Sequence, residues 1–98
     1  MRTFGELIVV DIPVLMIFYT EGNEESNNMH PVMRDVSAHF GNLARVVKID
    51  IDKNQELTEA MRVKSLPTLM IYKDGEQVWR HTGIKSYKEL VELIKRYE

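Results

Sequence analysis

The stretch VLMIFY, residues 14–19, is an uninterrupted run of apolar side chains that begins directly after Pro13. A strand with one face in water alternates apolar and polar residues, whereas a strand covered on both faces is apolar throughout. The run therefore predicts a central strand of an α/β sheet. Because such a strand needs a layer of helices on each side, we expect helices and strands to alternate along the chain.

Three further segments have the composition of strands. Residues 46–51 are rich in β-branched side chains, and residues 68–72 and 77–82 flank the turn signal KDGE at 73–76. An Asp-Gly pair between two such runs favours a type I′ hairpin, since both central residues of that turn need a positive φ. The sequence thus predicts two strands joined by a crossover, followed by an antiparallel hairpin.

A long helix is expected between the first two strands. Its apolar residues recur every three or four positions, at Met29, Met33, Val36 and Phe40. This spacing places them on one face of a helix from about residue 24 to residue 40. Gly41 suits the C-cap, and Pro31 is expected to kink the helix, because proline removes a backbone donor and clashes with the preceding turn.

Shorter helices are expected elsewhere. Residues 54–62 carry a short apolar face, and the capping-box pattern of Ser86-Tyr87-Lys88-Glu89 marks the start of a last helix. A weaker capping box at residues 3–6 favours a short helix over residues 4–9. The β-branched residues at 8–10 leave a strand open there.

The order of these elements is (α)βαβαββα. A right-handed βαβ unit followed by an antiparallel hairpin and a closing helix forms one mixed sheet with helices on both faces. No repeat, linker or low-complexity tract interrupts the pattern. The sequence therefore predicts a single α/β domain over residues 1–98, a three-layer sandwich with about four central strands.

Charge and composition exclude several functions. The net charge of −2 argues against a nucleic-acid partner, which needs a basic surface. No apolar run approaches the ~20 residues of a membrane span, and the first residues lack the layout of a signal peptide. We therefore expect no membrane partner and a cytoplasmic location. The chain has no cysteine, which excludes disulfides, thiolate metal ligands and thiol catalysis.

Four short motifs follow one another at characteristic distances. They are FYTE at 18–21, Pro31 inside the long helix, KIDIDKN at 48–54 and VKSLPT at 63–68. In this order and spacing the chain resembles the thioredoxin family from about residue 4 to residue 97. That family has Phe-Trp-Ala-Glu at the first motif and a helix-kinking proline at the second. It has a lysine-containing strand with Asp-x-Asn at the third, and Val-x-Ser-Ile-Pro-Thr at the fourth.

The resemblance implies a thioredoxin-like fold with a cis peptide bond before Pro67 and without the family's first strand. It also places the family's Trp-Cys-Gly-Pro-Cys on residues 22–26, and the family's buried aspartate on Ile17. Disulfide exchange needs one thiolate to attack and a second thiol to resolve, so dithiol oxidoreductase chemistry is excluded. Lys48, which lies near that aspartate in the family, has lost its partner. We expect it to reach outward or to pair with a carboxylate, because an unpaired ammonium is costly to bury.

Two candidate sites follow from this interpretation. The degenerate active-site loop consists of Gly22, Asn23, Glu24, Glu25 and Ser26. Asn23 is a favoured N-cap, and negative charge in the first turn interacts favourably with the helix dipole. The resemblance implies a peptide groove formed by Leu66, Pro67, Gly83 and Ile84, where an extended chain pairs with the backbone before the proline. The leading hypothesis is a redox-inactive, cofactor-free adaptor that binds a protein or peptide non-covalently.

Other interpretations stay open. Ser26 and His30 are four residues apart and can share a helix face, with Asp35 or Glu21 as the orienting carboxylate of a non-thiol enzyme. Glu21, His30 and the loop glutamates combine into a metal site on paper, but the typical ligand spacing is missing and no metal is expected. Pro67 is also explained by the fold alone. In that case the chain resembles thioredoxins by fold only and its function is unknown.

Overall fold

The computed structural model describes residues 3–98. Its helices are α1 (Phe4–Ile8), α2 (Glu24–Phe40), α3 (Gln55–Ala60) and α4 (Tyr87–Lys95), with a single 3₁₀ turn at Gly41–Leu43. Its strands are β1 (Val14–Tyr19), β2 (Arg45–Asp50), β3 (Thr68–Lys73) and β4 (Glu76–Thr82). The predicted order of elements is confirmed, and the predicted boundaries are within two residues of those observed.

The strands form one sheet in the order β2-β1-β3-β4. β1 pairs with β2 in parallel, so that Ile17 lies opposite Lys48, and with β3 in antiparallel orientation, so that Ile17 also lies opposite Leu69. β1 is therefore central, and its first five residues are buried. The prediction of a strand covered on both faces, made from the continuous apolar run, is confirmed.

Alternate residues of β1 face two separate cores. Leu15 and Ile17 contact the core beneath α2 and α4, which also contains Met29, Met33, Val36 and Leu90. Val14, Met16 and Phe18 contact the core beneath α1 and α3, together with Ile8, Ile49 and Tyr72. The period of two along the strand thus requires a helical layer on each side of the sheet.

The helix ends follow the predicted capping patterns. The Ser86 hydroxyl accepts a hydrogen bond from the N–H of Glu89, and the Glu89 carboxylate accepts one from the N–H of Ser86, which completes the capping box of α4. The hydroxyl of Thr3 accepts from the N–H of Glu6, so the segment after it is the short helix α1. The alternative strand at 8–10 is wrong, because Ile8 ends α1 and its side chain packs in the core. α2 continues through Pro31, whose side chain is exposed.

The hairpin between β3 and β4 has the predicted turn chemistry. Asp74 has a φ of 53° and Gly75 a φ of 83°, the two positive values that a type I′ turn requires. A Cβ at Gly75 would lie 3.3 Å from the side chain of Val9, so glycine also permits the close approach of the segment after α1.

Lys48 is exposed although its neighbour on β1, Ile17, is fully buried. The prediction that the ammonium reaches outward is confirmed. Within residues 3–98 it forms no ion pair, so solvent takes the place of a carboxylate partner.

Candidate functional site

The loop before α2 is a helix cap. The side-chain oxygen of Asn23 accepts a hydrogen bond of 2.7 Å from the N–H of Ser26, as predicted for an N-cap. The loop is closed further by the N–H of Asn23, which donates to the carbonyl of Thr20, and by the Asn27 amide, which donates to the carbonyl of Glu21. These bonds satisfy polar groups of the turn without any ligand.

Ser26 does not have the environment of a nucleophile. Its side chain is 0% exposed, and its Oγ has no hydrogen-bond partner. Nδ1 of His30 is buried and also lacks a partner, while the imidazole packs edge-on against the ring of Tyr19 with centroids 4.8 Å apart. Since the two groups are not hydrogen-bonded to each other, the base of a serine mechanism is not in place. Asp35 lies on the surface beside Arg34, with 3.5 Å between the charged groups.

Three glutamates of this region are exposed: Glu21, Glu24 and Glu25. In the described part of the chain the only ion pairs are Arg34–Asp35 and Lys85–Glu89, so none of these carboxylates is neutralised by a neighbour. The same part of the chain contains no cluster of three His, Asp or Glu residues arranged to hold a metal ion. The loop thus carries unbalanced negative charge.

The predicted groove residues surround a short backbone junction. The peptide bond between Leu66 and Pro67 is cis. The N–H of Gly83 donates to the carbonyl of Pro67 at 2.8 Å, which extends the β3–β4 pairing by one step. One residue earlier this pairing stops: within residues 3–98 neither the N–H nor the C=O of Leu66 has a hydrogen-bond partner. The side chain of Leu66 packs partly against the core beneath α1 and α3.

Ile84, the last predicted groove residue, lies beside α2. It is 58% exposed and lines a depression of about 340 Å³, which we call the Ile84 cleft. The cleft is lined by Asn28, Met29, Val32, Ile84, Lys85, Ser86 and Glu89. Neither Leu66 nor the loop at 22–26 lines it, so the predicted groove residues are divided between the backbone junction and this cleft.

Glu89 forms the far wall of the cleft. The hydrogen bond from the Lys85 ammonium, 3.1 Å away, together with those from the backbone and hydroxyl of Ser86, holds the pKa of this carboxyl below its ordinary value. Lys85 is therefore neutralised by its partner, and α4 begins with a closed polar network.

Comparison with known proteins decides the family. The sequence matches the thioredoxin family model over residues 1–96. The chain belongs to the thioredoxin family. The thioredoxin of Rickettsia bellii is 30% identical over 89 residues, which are 91% of this chain and 85% of that protein. The thioredoxin of Bacillus subtilis is 39% identical over 67 residues, which are 68% of this chain and 64% of that protein.

Solved thioredoxin structures share the fold. A thioredoxin-2 of the malaria parasite is 26% identical with a TM-score of 0.84, covering 87% of this chain and 82% of its own. A mutant thioredoxin from Halobacterium salinarum is 34% identical with a TM-score of 0.81, covering 89% of this chain and 75% of its own. The thioredoxin-like α/β fold predicted from the motifs is confirmed. This member of the family has no cysteine among its 98 residues, so they supply no thiol for dithiol exchange.

The Ile84 cleft was missed by the sequence analysis. Met29 was predicted to lie on the apolar face of the long helix, which is confirmed, because its side chain packs in the core beneath α2 and is 1% exposed. It nevertheless forms part of the cleft, next to Val32 of the following turn. No local pattern could have indicated this, since the other wall comes from residues 84–89, more than fifty positions away.

No helix of residues 3–98 combines the length and the apolar character that a membrane crossing requires.

Proposed function

We propose that this thioredoxin-family protein binds an extended protein segment without forming a covalent bond. The segment lies along Leu66 and Pro67 and continues past Gly83 and Ile84. The observation that carries the proposal is the pair of backbone groups of Leu66, a donor and an acceptor without partners in the described structure.

These backbone groups favour strand addition. Unpaired N–H and C=O groups beside a sheet are the groups that an added peptide strand satisfies, and side chains of the peptide then enter adjacent pockets. The carbonyl of Pro67 already accepts a hydrogen bond from Gly83, so Leu66 is the residue whose backbone groups are free to pair with a bound chain. The exposed side chain of Ile84 supplies apolar contact beside it.

Binding is proposed to be reversible because nothing in the loop at 22–26 can trap a bound chain. Asn23 is used as a cap, and the hydroxyl of Ser26 is buried. Affinity must therefore come from backbone hydrogen bonds and apolar contact, which gives the protein the character of an adaptor.

Amide exchange measured by NMR tests this proposal. A displayed library of random peptides of about a dozen residues is selected against the protein, and an enriched peptide is added to the labelled chain. We expect the exchange of the Leu66 amide to slow in the complex, because its N–H acquires an acceptor. Thr58, whose N–H already donates to the carbonyl of Asn54, the N-cap of α3, is the internal control. Peptide binding that leaves the Leu66 amide unprotected contradicts strand addition at this position.

A further inference from the structure

We infer that the bound segment is basic, with an aliphatic side chain seated in the Ile84 cleft and a Lys or Arg beside Glu24 and Glu25. This inference rests on the proposed function and adds the chemistry of the partner.

The aliphatic contact follows from the walls of the cleft. Met29 and Val32 come from successive turns of α2, and Ile84 faces them from the connection between β4 and α4. Ile84 is more than half exposed in the described structure, so its aliphatic side chain is accessible to a partner. The cleft has a volume of about 340 Å³, and Met29, Val32 and Ile84 are its apolar lining residues. An aliphatic side chain of a partner placed against these three residues would remove Ile84 from water.

The basic contact follows from the geometry of α2. Glu25 precedes Asn28 by three residues and Met29 by four, and residues at these spacings are neighbours on one helix face. Glu24 precedes Asn28 by four residues. The two carboxylates thus lie at the loop end of the same face that lines the cleft.

The charge balance of the region selects the sign of the partner. Inside the cleft the charges of Lys85 and Glu89 compensate each other across 3.1 Å. At its loop end Glu24 and Glu25 are exposed and have no cationic partner among residues 3–98, and the exposed Glu21 adds to the same field. A segment that carries Lys or Arg next to its aliphatic residue is complementary to this arrangement, whereas an acidic segment is repelled.

The experiment compares peptide selections on variants of the whole chain. The probe is the same random peptide library. The apolar variant is Ile84→Asp, and its control is Leu43→Asp, since Leu43 is similarly exposed (64%) at the opposite end of the sheet, where it lines a different depression with Pro13 and Glu98. The charge variant is Glu24→Lys/Glu25→Lys. Its control is Glu76→Lys/Glu98→Lys, which changes net charge equally at that opposite end. Circular dichroism checks that each variant is folded.

The expected result is enrichment of peptides with Lys or Arg near an aliphatic residue. We expect Ile84→Asp to weaken the binding of the enriched peptides at least about tenfold, because an aliphatic contact that is buried in the complex is lost. We expect the charge variant to select peptides with acidic in place of basic residues and to reverse the salt dependence of peptide binding. Both controls should behave as wild type.

Two other results separate the claims. The enriched peptides can protect the Leu66 amide from exchange and yet show no bias toward basic residues, or no loss of affinity for Ile84→Asp. Either result overturns this inference and leaves the proposed function standing. Absence of enrichment above that of a folded control protein overturns both.

Discussion

The side-chain oxygen of Asn23 accepts the backbone N–H of Ser26 at 2.7 Å, and so joins the two positions that the family resemblance assigns to cysteines. Where the resemblance places the family's dithiol, this chain has a helix cap. Asn23 satisfies one of the donors at the start of α2, and the carboxylates of Glu24 and Glu25 interact favourably with the positive end of the helix dipole. The loop is thus stabilised by features that are independent of thiol chemistry.

Replacing the cap residue should destabilise the fold. We expect Asn23→Ala to lower the free energy of unfolding by about 1 kcal/mol, because the N–H of Ser26 loses its acceptor. Asn23→Asp keeps an oxygen at the same place and should remain close to wild type. Urea denaturation of the three proteins measures the difference. Equal stability of Asn23→Ala and wild type would show that the cap contributes nothing.

Removing the hydroxyl of Ser26 should not destabilise the fold. The Oγ atom is fully buried without a partner, and an unsatisfied polar group of this kind costs roughly 1–3 kcal/mol. We therefore expect Ser26→Ala to leave the free energy of unfolding unchanged or to raise it, and to leave peptide binding unaffected. A loss above about 1 kcal/mol in urea denaturation would mean that the hydroxyl has a partner in solution.

Dithiol chemistry should be restored in part by two substitutions. The wild-type chain is expected to show no reduction of insulin disulfides above buffer, since it contains no thiol. In Asn23→Cys/Ser26→Cys two thiols stand three residues apart at the start of α2, where the helix terminus lowers thiol pKa values. We expect this variant to reduce insulin faster than dithiothreitol does alone.

The matching controls separate the attacking thiol from the resolving one. Ser26→Cys alone should be inactive, because position 26 is buried and an apolar environment disfavours the thiolate. Adding Glu24→Gln and Glu25→Gln to the double variant should raise its rate, since the two carboxylates next to the thiols oppose their ionisation. Turnover by the wild-type chain would show that a chain without cysteine reduces disulfides, which contradicts the requirement for a thiolate.

The capping box of α4 should make stability depend on pH at the acid side. Hydrogen bonds from Lys85 and Ser86 lower the pKa of Glu89 in the folded state. Between this value and the higher unfolded pKa, the folded state binds fewer protons than the unfolded one. The contribution is therefore present above the unfolded pKa and is lost as pH falls through the folded pKa.

Glu89→Gln removes this titration. We expect the difference in unfolding free energy between wild type and Glu89→Gln to shrink as the pH is lowered from neutrality through the acid range. Glu92→Gln, one turn further along α4, removes an exposed carboxylate outside the capping box and serves as the control for the loss of charge. A constant difference at all pH values would mean that the ionised Glu89 carboxylate is not what stabilises the helix start.

Much of the architecture is local and was predictable. The apolar run 14–19 determined a strand buried on both faces, and the Asp74-Gly75 pair determined a type I′ hairpin, because only residues that tolerate positive φ fit its centre. Asn23 and Ser86 determined two helix starts through bonds within one turn of the chain. In each case the interacting groups lie within a few residues of one another.

By itself the sequence determined the fold family and, because it contains no cysteine, the lack of a thiol for dithiol exchange. Only the tertiary structure decided that Ser26 is sealed from solvent, that Leu66 keeps its backbone groups unpaired, and that Met29 and Ile84 line one cleft. The physical reason is distance along the chain. Capping and periodicity depend on neighbours within a turn or two, whereas burial and clefts depend on how the sheet places elements that are far apart in sequence.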